Sequence, residues 1–250
     1  MTDPAIDIQH LVKEFTVTHA GYGSLKTRLV SALRSGGAAS ARRERRRVLD
    51  DLSVQIGQGE TVGLVGKNGS GKSTLLGLLA RIYKPNSGTM AIQGRVAALL
   101  EIGAGFHPEL TGVENVFFNG TVMGLSQAEI AARFDSIVAF AELGAFMDTP
   151  VRNYSLGMIM RLGFSVAVHM DADVILIDEA LAVGDEAFQR KCFDKISEFQ
   201  RQGKTIMVVS HELDHLEQVA TRILWLQDGK IVRDGPVAET LAAYREAMGA

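Results

Sequence analysis

A chain of 250 residues, 46% of them hydrophobic, is long enough to bury a large core without disulfide staples. Its one cysteine, Cys192, excludes an internal disulfide, suits a reducing compartment and reads as a structural thiol. The net charge of −3 speaks against a general nucleic-acid binder, and no apolar run approaches the ~20 residues that span a bilayer. The first fifteen residues, MTDPAIDIQHLVKEF, lack a basic segment followed by an apolar one, so no secretory signal is expected.

In chain order, apolar alternation predicts a strand over 6–12 and a second over 48–56 that ends at the turn Gly57-Gln58-Gly59. Between them lies an insertion, 20–47. Its stretch 24–34 carries leucines at 25, 29 and 33, the spacing of a short amphipathic helix that lies on a partner, on a membrane interface or on its own core. Residues 35–47, rich in Gly, Ala, Ser and Arg, read as a mobile loop. Arg42–Arg47 contains five arginines and one glutamate. Such a run serves as a solvated linker, as a contact for anionic headgroups or a phosphate-bearing substrate, or as a nucleic-acid contact.

The stretch Val62–Thr74, VGLVGKNGSGKST, is the most informative in the chain. An apolar run reads as a buried strand, turns through Gly66, Gly69 and Gly71, and enters a helix at Lys72. This is the GxxxxGK[ST] phosphate loop in its strand–loop–helix setting. Glycines at these places let successive N–H groups of 66–74, including those of Lys67, Asn68 and Ser70, point at an anion. The helix start adds its positive dipole end. Lys72 reaches the β- and γ-phosphates, Ser73 supplies a hydroxyl to Mg²⁺, and Thr74 completes the motif. A nucleoside triphosphate is the expected ligand.

Beyond the loop, Lys84–Gly88 reads as a turn and 89–100 as a strand. Thr111-x-x-Glu114 and Ser126-x-x-Glu129 are capping boxes that open two helices, the second over about 127–142 with Gly144 as its stop. A third helix is predicted over about 156–170 and another over about 186–201. Strands are predicted at 174–177 and 205–210, and Asp228-Gly229 marks a hairpin between 223–227 and 230–233. The expected fold is α/β: a phosphate-loop (RecA-like) core with an antiparallel part, over about 1–101 and 171–250, interrupted by a helical subdomain over about 102–170.

The strand at 174–177 runs into Asp178 and Glu179. In a phosphate-loop protein Asp178 holds Mg²⁺ and Glu179 polarises the attacking water. His211, after the strand at 205–210, faces the ligand crevice of an open α/β sheet and can bond a γ-phosphate.

The order of these motifs resembles the ABC ATPases, the nucleotide-binding subunits of ABC transporters, over about residues 6–235. The Walker A loop at 66–74, a Q-loop region near 101, a signature at 154–158, Walker B at 174–179, a D-loop at 182–185 and the switch His211 follow in the family's order. The resemblance implies a homodimer that sandwiches ATP, with Ser155 and Gly157 donating to a γ-phosphate on the opposite subunit and Asp185 in the D-loop. It also implies an aromatic stacked on adenine, for which Phe15 and Tyr22 are the candidates. The signature reads Tyr154-Ser-Leu-Gly-Met158 in place of LSGGQ, Glu101 stands nearest the usual Gln as a Mg²⁺ ligand, and Ala180 follows Walker B where many members have Pro. These departures, with the insertion before Val48, resemble the branch that exports polysaccharides such as O-antigen, teichoic acid and capsule. That implies ATP hydrolysis on the cytoplasmic face of the inner (plasma) membrane, coupled to an integral-membrane permease and through it to a lipid-linked polysaccharide. An importer, a drug or lipid exporter, or a soluble ATPase acting on nucleic acid are the alternatives. The extra C-terminal carbohydrate-binding domain of some O-antigen members is not expected here.

Overall fold

The computed structural model describes residues 3–19, 42–100, 103, 105–178 and 184–249. Tyr22, Glu101, Glu179 and the expected helix over 24–34 lie outside the described residues.

Two sheets share one core. The first is antiparallel, in the order β2-β1-β4, from β1 (Ile6–His19), β2 (Arg42–Ile56) and β4 (Ser87–Ile92). The second has six strands in the order β5-β6-β7-β3-β8-β9. Its members are β3 (Thr61–Val65), β5 (Val96–Leu99), β6 (Val174–Asp178), β7 (Thr205–Val209), β8 (Arg222–Gln227) and β9 (Lys230–Pro236). All neighbours in it are parallel except the hairpin β8–β9.

The six-stranded sheet is covered on both faces, which explains its unbroken apolar strands. Along β6 and β7, Val174, Leu176, Met207 and Val209 face the antiparallel sheet and helix α1 (Lys72–Leu79). Their neighbours Ile175, Ile177, Ile206 and Val208 face the helices of the other side. Those are α4 (Leu156–Val168), α5 (Glu186–Arg201), α6 (Leu213–Val219) and α7 (Val237–Met248). Leu75, Leu76, Leu78 and Leu79 of α1 are wholly buried, worth about 1.5–3 kcal/mol each. Cys192 lies in this core, and burial pushes its thiol up to about 12.

A third apolar cluster belongs to α2 (Gly112–Val122), α3 (Gln127–Ala141) and α4, around Val116, Ile130, Ile137, Leu162 and Val166. Both expected capping boxes form: Glu114 N–H donates to Thr111 Oγ1 and Glu129 N–H to Ser126 Oγ. Within α2 the wholly buried Asn115 ties down the chain that leads into the helix. Its Nδ2 donates to the carbonyls of His107, Leu110 and Thr111, and its Oδ1 accepts from His107 N–H at 2.7 Å.

Several expectations are corrected. Arg42–Arg47 is not loop but strand: β2 begins at Arg42 and pairs with β1 from His19 to Glu14. Cross-strand hydrogen bonding and alternation of faces hold a charged run extended when a partner strand is present. The insertion is thus shortened to 20–41, and β1 runs on past Val12 to His19. The stretch 89–100 is two strands in different sheets, broken at Gln93–Arg95 where Arg95 N–H donates to the Asp173 carboxylate. Helix α3 stops at Glu142, itself left-handed (φ 58°), and Gly144 starts a 3₁₀ turn instead. Helices α6 and α7 were not foreseen.

Replacing Asn115 with Leu leaves the His107 N–H without its acceptor, while the carbonyls of His107, Leu110 and Thr111 keep the backbone N–H groups of Leu110, Val151 and residue 115, so a loss of about 1–3 kcal/mol in denaturant unfolding is expected. Thr111→Ala, which removes one cap, costs about 1 kcal/mol.

Candidate active site

The C-terminal ends of β3, β7 and β6, adjacent in the sheet, gather the sequence-predicted groups. The phosphate loop leaves β3, Asp178 closes β6 opposite Val209, and His211 follows β7 by two residues. A cleft of about 380 Å³ is lined by Asn68, Gly69, Gly71, Lys72, Ser73, Thr74 and His211, and by Phe15, Arg46 and Val48 from the antiparallel sheet. Gly66, Lys67 and Ser70 complete the loop behind it.

Tight backbone packing shapes this loop. A Cβ on Gly66 would collide with the carbonyl oxygen of Leu226 in β8. Gly71, the residue before α1, has φ 111°, and a Cβ there would lie 2.8 Å from Leu49 Cδ2 and 3.0 Å from Val48 O. The turn between β8 and β9 braces the other side, since Gly229 N–H donates to Ser70 O at 3.2 Å. The buried Lys72 curls inside, donating to Gly66 O at 2.6 Å and Lys67 O at 3.2 Å. Its ammonium therefore sits within the loop, beside N–H groups that suit an anion.

Phe15 reaches the cleft because β1 is irregular: its pairing with β2 shifts between Ile8 and Leu11, Leu11 and Lys13, and Lys13 and Glu14. Bulges of this kind re-aim side chains. Lys13 Nζ stands 4.9 Å from the Phe15 ring centre, and Tyr83 packs edge-on at 5.4 Å.

The signature residues form a second place. Ser155 caps α4, accepting from Met158 N–H at 3.2 Å, and the exposed Leu156 follows it. Ser155, Leu156, Gly157, Met158, Gly184 and Asp185 share a second cleft of about 520 Å³ that has no residue in common with the first. Asp185 caps α5, and that bond from Phe188 N–H, with the nearby Arg161, lowers its carboxyl below the ordinary range. Arg161 was not singled out from sequence. It joins signature helix to D-loop, bonding Asp185 at 2.6 Å and Glu142 at 3.3 Å while its guanidinium lies 5.1 Å from the Phe188 ring centre. Arg46 and Val48 were missed as well. Arg46 lies on the unforeseen extension of β2 and Val48 at the start of its foreseen part, and only the packing of that strand against the loop reveals that both reach the cleft.

A phosphate loop after β3, a histidine beyond the adjacent strand β7 and an acid at the end of β6, one strand further, define a mononucleotide-binding cassette of the phosphate-loop class. The family model described as ABC transporter matches residues 49–182. The chain is 41% identical over 98% of its length, and 99% of the relative's, to the O-antigen export system ATP-binding protein RfbB of Klebsiella pneumoniae. It is 47% identical to the protein of the same name from Myxococcus xanthus, and 40% identical to the teichoic acids export ATP-binding protein TagH of Bacillus anthracis. The chain spans 56% and 42% of the lengths of those two relatives and covers 98% and 96% of itself in the matches. A dimeric ATP-binding cassette in a post-hydrolysis state bound to ADP and Pi shares the fold. It has a TM-score of 0.73 at 21% identity over 93% of this chain and 98% of that one. The chain belongs to the ABC transporter family.

Gly71→Ala places a methyl against Val48 O in a left-handed conformation, about 1–3 kcal/mol of strain at the loop. Expected are a lower melting temperature and the loss of the rise that ATP produces in the parent, both read by thermal denaturation.

Proposed function

We propose that the chain is the ATPase subunit of a polysaccharide exporter, which dimerises on Mg-ATP and drives a separate membrane permease. The observation that carries this is the end-to-end match to a Klebsiella O-antigen export ATP-binding protein, 41% identical over 99% of that relative. Among the described residues no helix is long and apolar enough to cross a membrane.

In this reading the loop 66–74 holds the phosphates, Lys72 neutralises them and Phe15 supports the base. The Ser73 hydroxyl and the Asp178 carboxylate fit Mg²⁺. They are hard oxygen ligands beside a phosphate site, and this ion takes one or two protein oxygens and completes its shell with phosphate and water. Bound there, it would neutralise charge developing on the β- and γ-phosphates. Glu179 accepts a proton from the attacking water, and His211 donates to the γ-phosphate and orients it. Neither cleft is complete alone: one has a phosphate loop, the other a helix start with free N–H groups at Ser155 and Gly157. Two copies, each offering its signature to the other's phosphate loop, complete both sites. The relatives' names, O-antigen export and teichoic acids export, support a polysaccharide as cargo; its lipid-linked form and work at the cytoplasmic face of the membrane belong to the same proposal.

Lys72→Ala abolishes ATP binding in equilibrium dialysis. Glu179→Gln binds Mg-ATP at near-parent affinity, loses at least about a hundredfold in turnover, and accumulates as a dimer in size-exclusion chromatography. Full turnover in Glu179→Gln would remove that residue from the base role. Tagged Glu179→Gln protein, captured with ATP from membranes in mild detergent, is expected to bring a multi-spanning protein and lipid-linked glycan. Capture of a soluble or nucleic-acid partner without a membrane protein would overturn the exporter reading.

A further inference from the structure

Arg46 has no place in the reading above, yet the structure sets it in the wall of the nucleotide cleft. In the β1–β2 ribbon it pairs directly with Phe15, so both side chains project from the same face. The pairing is regular from Glu14↔Arg47 through Val17↔Glu44, so Arg45 and Arg47 project from the opposite face. Arg47 spends its charge there, on Glu14 at 3.1 Å and Asp50 at 2.7 Å. Among the described residues Arg46 has no carboxylate partner, and it is exposed. A cation left unpaired beside an aromatic ring, on the rim of a phosphate site, has a solvated anion as its natural partner.

We propose that Arg46 is a nucleotide contact that holds the phosphate chain at its base-proximal end. The strand itself measures the position. At Val48, β2 passes against the phosphate loop, its carbonyl 3.0 Å from where a Gly71 Cβ would lie. Arg46 stands two residues back, about 6.6 Å along the strand, opposite the aromatic ring. The guanidinium thus falls between the ring and the loop, where the chain leaves the sugar, while Lys72 works inside the loop on the far phosphates. The planar fork of arginine suits a phosphate with two parallel N–H···O bonds, which the point charge of lysine reproduces only in part. The five-arginine run is then a strand with two jobs: one face locks the ribbon through Arg47, the other offers Arg46 to the ligand.

The proposal rests on the reading of this cleft as a nucleotide site, and the test separates the two. Isothermal titration of the full chain with ADP and with the non-hydrolysable β,γ-imido analogue of ATP reads both. The parent binds both. Arg46→Ala weakens both by the same factor, roughly five- to tenfold, because the base-proximal phosphates are common to the two ligands. Arg46→Lys recovers part of the loss, and Arg45→Ala, on the opposite face, binds as the parent does. The melting temperature without nucleotide is unchanged in all three variants, since neither side chain is buried. A loss confined to the triphosphate would place Arg46 on the γ-phosphate and overturn the proposal, as would unchanged binding in Arg46→Ala. A parent that binds neither nucleotide would overturn the nucleotide reading itself.

Discussion

Three stretches of main chain meet around the phosphate loop at distances that leave no room for side chains, and the architecture is arranged about that meeting. The loop lies between the end of β8 at Leu226, the strand β2 at Val48–Leu49 and the turn at Gly229. A Cβ on Gly229 would stand 2.5 Å from Val48 O, so the turn and the strand also touch each other. Asp50 N–H donates to Gly229 O at 3.0 Å and closes the ring of contacts. Strands distant in sequence thereby converge on one short loop, and any shift of β2 or the β8–β9 hairpin is felt where the anion binds. Rigid support of this kind lets backbone N–H groups hold a phosphate without reorganising as it arrives.

The same packing disposes the charges. Lys72 is buried with its ammonium on two carbonyls of its own loop, so the cation is held in place before a ligand comes. The histidine follows β7, which pairs with the loop's strand β3, and the acid closes β6, the next strand out. On the other surface, Arg161 bolts the signature helix to the start of α5 through Asp185. Because Asp185 also caps α5, one carboxylate joins the start of α5 to α4.

The phosphate loop, its acid, the histidine and both capping boxes were legible because each is a local pattern with a local cause. A glycine spacing bends the backbone, and a Thr or Ser three residues before Glu closes a helix start. The hairpin at Asp228-Gly229 was legible for the same reason: both residues take positive φ, 48° and 78°. The strand at Arg42–Arg47 was not. Five arginines carry no strand signal of their own, and what holds them extended is the partner 14–19, more than twenty residues earlier. Arg46, Val48 and Arg161 were invisible for that reason: their roles depend on register and on tertiary neighbours. Residues 89–100 misled because two apolar segments belong to two sheets, divided by an arginine N–H held by Asp173 far along the chain.

The β4 strand pairs with β1 only from Ile6 to Val12. Beyond that point, among the described residues, β1 pairs in a sheet only with β2, although Glu14 N–H donates to Asn86 Oδ1 and Tyr83 packs on Phe15; Phe15 and Arg46 stand on this two-stranded ribbon. An isolated ribbon of two strands is marginally stable in water. A ligand that bridges this part of the cleft wall to the phosphate loop adds to the stability of the ribbon.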